Sequence, residues 1–95
     1  MSEQFQIQPM GDHDYLVRAR YSGGVMESRF QASPDVVSLL HVAEDDEQRV
    51  IEETVLYLSE RQPVMDIPPL VDLDDVAAAY GDQYIDELSR RLKHA

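Results

Sequence analysis

Ninety-five residues of which 43% are apolar and seven are aromatic supply material for one core and no second domain. The net charge of −11 repels polyanions at long range, so bulk nucleic-acid binding is disfavoured. There is no cysteine, which removes disulfides and thiolate metal sites and fits a cytoplasmic setting; no apolar run approaches the roughly 18 residues of a membrane span, and MSEQFQIQPMG has no signal-peptide pattern.

In chain order, FQIQP alternates Phe5, Ile7 and Pro9 against Gln4, Gln6 and Gln8, the period-two pattern of a half-buried strand, with Pro9 marking an edge strand or its end. YLVRARY places Tyr15, Val17, Ala19 and Tyr21 on one face and Leu16, Arg18 and Arg20 on the other. VMESRFQA repeats the pattern with Met26, Ser28, Phe30 and Ala32 against Glu27, Arg29 and Gln31. A two-residue turn at Gly23-Gly24 then sets Tyr21 opposite Met26, Ala19 opposite Ser28 and Val17 opposite Phe30. GDHD turns the first hairpin through a three- or five-residue loop that keeps Phe5 and Ile7 on the face of Val17 and Ala19. A three-stranded antiparallel meander with one covered face follows.

That register has a cost: it puts Arg18 opposite Arg29 on the exposed face, where like charges destabilise a pair. An acid must lie across them. Glu27 or the chain's own helices supply it on the structural reading, and a carboxylate-rich partner surface on the functional one.

SPDVVSLL opens a helix, with Ser33 as cap, Pro34 in the first turn and Asp35 near the positive end of the dipole. A second helix runs from about Asp45 to Gln62, with Val50, Ile51, Thr54, Val55 and Leu58 as one stripe and Tyr57 flanking it, until Pro63 stops it. Its entry, EDDEQRVIEE, gathers Glu44, Asp45, Asp46, Glu47, Glu52 and Glu53. They read first as a solvated helix face, and second as a docking face for a basic partner; as a metal site the run lacks a His at ligand spacing. VMDIPPLV is an extended connector dominated by Pro68-Pro69.

DLDDVAAAYGDQYIDEL invites three readings. A calcium loop beginning at Asp72 needs a side-chain oxygen where the chain has Val76, a glycine where it has Ala77 and a bidentate glutamate where it has Gln83. LDDVAAAYG resembles the first helix and turn of the helix-turn-helix motif over about twenty residues, which implies DNA binding through residues 73–93. Asp82 stands where that motif has an apolar residue, Tyr84, Ile85, Leu88 and Leu92 are out of its register, and the exposed start of the second helix carries Asp82 and Asp86. The plain reading is a helix hairpin: Asp72 caps a first helix, Gly81 ends it in the left-handed conformation, and a second helix closes with Arg90, Arg91 and Lys93 at its negative end.

Catalysis has no anchor, because the chain contains no serine-centred nucleophile motif, phosphate loop or HExxH pattern. Asp12-His13-Asp14 has the composition of a metal or base site but falls in an exposed turn. No cofactor is expected.

The expected architecture is α+β: a three-stranded antiparallel meander packed against three to four helices in one domain over residues 1–95. It divides into a strand-rich part (3–32), a helical part (33–62), a connector (63–71) and a C-terminal helix pair (72–94). The expected function is a non-catalytic protein-interaction or regulatory module whose partner is another protein or a second copy of the chain; a DNA-binding regulator is the alternative. Candidate contact residues are Arg18, Arg20 and Arg29 on the sheet, and Tyr80, Tyr84 and Leu88 on a separately tethered helix pair.

Overall fold

The computed structural model describes residues 5–43 and 46–93. Glu44 and Asp45 of the acidic run lie outside the described residues. The order of elements is β1 (Phe5–Gly11), β2 (Asp14–Tyr21), β3 (Gly24–Gln31), α1 (Pro34–Leu40), α2 (Glu47–Ser59), a 3-10 turn at Val64–Asp66, β4 (Leu70–Asp72), α3 (Leu73–Tyr80) and α4 (Asp82–Lys93). The class is α+β. The sheet has four strands in the order β1-β2-β3-β4, the first three antiparallel and β4 parallel to β3.

In the first hairpin Phe5 pairs with Ala19 and Ile7 with Val17, so the covered face is continuous across both strands. The register shifts between Pro9 and Gly11, and the bulge lets a two-residue turn, Asp12-His13, close the hairpin. Both turn residues have positive φ, 52° and 66°, the combination whose twist matches that of the flanking strands.

The second hairpin corrects the expected register by two residues. Its loop is Ser22-Gly23, and Tyr21 pairs with Gly24, Ala19 with Met26, Val17 with Ser28 and Tyr15 with Phe30. An even shift preserves the faces. It also removes the arginine confrontation: Arg18 now stands opposite Glu27, with Nε donating to Oε2 at 2.7 Å, and Arg29 stands opposite Leu16. Tyr21 folds back over the turn, where a Cβ on Gly23 would lie 2.9 Å from its Cε2 atom, so a side chain at that position requires the half-buried ring to move.

The connector is a second correction. Its end forms β4, with Phe30 beside Val71 and Arg29 beside Leu70. Two bonds precede the strand: Ser28 Oγ donates to the Pro68 carbonyl at 2.6 Å and the Arg29 amide donates to the Pro69 carbonyl at 2.8 Å. Proline lacks a donor but keeps its acceptor, so the Pro68-Pro69 pair docks on a sheet edge through carbonyls alone.

Anchoring β4 brings α3 and α4 into the body, so the helix pair is not separately tethered. Leu73, Val76, Tyr84 and Leu88 belong to the same buried cluster as Val17, Phe30, Val50, Ile51 and Val55. The α2 stripe is buried as its spacing predicts, but Tyr57 is fully buried rather than flanking, because α2 is covered on more than one side. The Tyr57 ring meets Tyr80 and Tyr84 edge-on at 5.4 and 5.3 Å between centroids, and the Arg61 guanidinium lies 3.5 Å above its centre.

Capping follows the sequence in part. Asp72 Oδ1 accepts from the Asp74 amide at 2.9 Å, the side-chain cap its position predicts. Ser33 occupies the cap position of α1 but makes no side-chain cap bond; its hydroxyl donates instead to Asp74 Oδ1 at 2.7 Å, tying α1 to α3. Gly81 has φ 66° and ψ −147°, so it ends α3 in a region that glycine favours but not in the left-handed helical one. Arg49 closes the far end of α4, donating to the carbonyls of Arg91 and Leu92 at 3.0 and 3.2 Å.

Candidate functional site

The strand registers convert the polar alternation of the sequence into a grid on the open face of the sheet. One row across the strands is Gln8, Leu16, Arg29, Leu70; the next is Gln6, Arg18, Glu27; a third pairs Arg20 with Val25. A shallow open groove of about 690 Å³ is lined by Gln6, Arg18, Ala19, Arg20, Val25 and Glu27. Val25 is 58% exposed and Leu70 64%. These two aliphatic groups stand in water on the face that carries the arginines, Val25 beside Arg20 and Leu70 beside Arg29.

The arginines are held in different ways. Arg18 spends only Nε on Glu27, and its two terminal nitrogens have no partner among the described residues. Arg29 donates through Nη2 to Asp14 Oδ2 at 2.9 Å. Arg20 has no ion pair among the described residues. Arg18 and Arg29, no longer opposite each other, each meet an acid of the chain's own strands, Glu27 and Asp14.

The other candidate contacts are placed otherwise. Tyr84 and Leu88 are fully buried, because the apolar stripe of α4 packs on α2; the Tyr84 hydroxyl is bonded to Thr54 Oγ1 at 2.8 Å. Burial is the main cause that pushes the Tyr84 phenol up to about 12. Neither residue can meet a partner from where it sits. Tyr80 is half-buried, with its ring turned onto Tyr57.

The acidic face is also broken up. Asp46 and Glu52 are exposed, whereas Glu53 is half-buried and lies 3.7 Å from Arg91, which also binds Glu60 and Glu87 at 2.8 and 2.9 Å. Hydrogen bonding to Arg91 is the main cause that holds the Glu87 carboxyl below its ordinary range. Glu47 departs furthest from a solvated face. It is 9% exposed, accepts from the Tyr15 hydroxyl at 2.7 Å, and lies 2.7 Å from His13 Nδ1. Burial first, then the bond and charge of Glu47, push the Tyr15 phenol up to about 12. The left-handed turn aims His13 at the first turn of α2, while its backbone carbonyl accepts from the Ala32 amide at 2.8 Å. This cluster fastens one hairpin end to a helix and to the end of β3. Among the described residues no three of His, Asp and Glu gather as metal ligands, and no helix is long and apolar enough to cross a membrane.

No protein-family model, curated protein or solved structure matches the chain. The open face of the sheet is the feature of this chain that bears on function. Its apolar residues are Leu16, Val25 and Leu70, none of them among the candidate contacts. Leu16 carried a signal, as an apolar residue on the polar phase of YLVRARY. Leu70 carried none, since its position beside Arg29 depends on a parallel pairing across 41 residues of chain.

Proposed function

We propose that the chain is a non-catalytic protein-interaction module whose contact surface is the open face of the sheet. The observation that supports this reading is the exposure of Val25 and Leu70 on the same face as Arg18, Arg20 and Arg29. Arginine and aliphatic residues on a rigid sheet desolvate readily and keep their geometry on binding. The partner is another protein or a second copy of this chain. The acidic start of α4 and its docked stripe weigh against a DNA-reading role for the helix pair, because its exposed positions there are Asp82, Gln83 and Asp86.

The test uses the tagged full chain as bait in extract of its native cells, beside a Val25→Glu, Leu70→Glu variant checked for native circular dichroism. Light scattering on both proteins reports self-association. A protein retained at a fixed ratio, or a dimer, that is lost in the variant is the expected result. Retention that the two charges leave unchanged, or a monomer that retains nothing, overturns the proposal.

A further inference from the structure

The groove between Arg18, Arg20 and Val25 has the chemistry to choose its occupant. We infer that it receives a partner segment carrying one carboxylate beside an aliphatic side chain; this rests on the interaction reading and specifies what is recognised.

Glu27 engages one edge of the Arg18 guanidinium. It takes Arg18 Nε at 2.7 Å, and the terminal nitrogens remain without a partner among the described residues. A planar fork with both terminal nitrogens unengaged suits a carboxylate, which accepts two parallel N–H bonds. Arg20 is two residues along β2 on the same face and lines the same groove. Val25 stands opposite Arg20 and is exposed, so the cation and the aliphatic surface are presented side by side. Gln6 adds an amide at the β1 side of the groove. An aliphatic neighbour of the incoming carboxylate covers Val25, and covering it removes water from the charged pair.

The chain's own charge limits the number of carboxylates. At −11 the whole-molecule field opposes an approaching polyanion, while a single carboxylate meets a small long-range penalty and gains the short-range bonds. A polyglutamate tract or a nucleic-acid backbone is therefore the wrong occupant. The groove selects by local geometry against the sign of its own protein.

The probes are a blocked pentapeptide, Gly-Leu-Glu-Leu-Gly, and the same peptide with glutamine in place of glutamate, each titrated to millimolar concentration into isotope-labelled full-length protein. Nuclear magnetic resonance reads the side-chain Nε–H signals of Arg18 and Arg20 and the methyls of Val25. The expected result is saturable movement of these signals with the glutamate peptide. Its affinity should exceed that of the glutamine peptide about tenfold or more, the scale of a lost charged hydrogen bond. Arg18→Gln and Arg20→Gln each reduce binding of the glutamate peptide towards the glutamine level. Equal movement by both peptides, or none, overturns carboxylate recognition. The two proposals fail separately: a cellular partner lost by Val25→Glu, Leu70→Glu but retained by the Arg18→Gln, Arg20→Gln double variant leaves an interaction module with a different ligand chemistry.

Discussion

The hydroxyl of Tyr15 donates to Glu47 Oε1 at 2.7 Å inside the protein, joining β2 to the first turn of α2. It shows how an acid from a visibly polar run becomes an interior acceptor. Removing the acceptor strands a buried donor, so Glu47→Ala is expected to lower stability by about 1–3 kcal/mol, against about 1 kcal/mol for Tyr15→Phe. Urea unfolding of the two variants and of the double variant measures this. The double loss should be smaller than the sum, because each single variant already breaks the same bond.

Alkaline pH provides an independent check on the interior tyrosines. Tyr15 and Tyr84 are both raised from 10.0 to about 12, Tyr15 by burial and Glu47, and Tyr84 chiefly by burial. The folded state thus holds its protons where the unfolded chain has released them. Their contribution to stability is complete below pH 10 and is lost as pH rises towards 12. For Tyr84, which is fully buried, the expected slope is about −1.4 kcal/mol per pH unit in that window. Urea midpoints between pH 9 and 12, with tyrosinate absorbance recorded alongside, give the slope; Tyr84→Phe should flatten it, and a wild-type midpoint independent of pH in this range would contradict the assignment.

The C-terminal helix pair is part of the core, so its removal should be global. Truncation after Pro69 deletes β4, α3 and α4, including the buried Leu73, Tyr84 and Leu88. The expected product lacks a cooperative thermal transition. The milder Leu88→Ala opens a cavity and is expected to cost about 2–5 kcal/mol while leaving the fold intact. A truncated chain that still melts cooperatively would show a body independent of the pair.

Much of this architecture is local and therefore legible in the sequence. Period-two alternation put Val17, Ala19, Met26 and Phe30 inside and Arg18, Arg20 and Arg29 outside, as their burial bears out. The α2 stripe and the Asp72 cap depend on spacings within a few residues, and both are present. Tertiary structure decided what depends on chain segments far apart. The hairpin register lies two residues from the expected one, a change to which alternation is blind because it leaves the faces untouched. Pairing β3 with Leu70–Asp72, at the junction of the connector and the helix pair, placed Leu70 beside Arg29 and drew Tyr84 and Leu88 into the core. Glu47 left the acidic face because a left-handed turn brought His13 to it and β2 brought Tyr15. Periodicity tells which side of an element is apolar; only the packed chain determines which polar group on the other side finds a partner and which is left facing water.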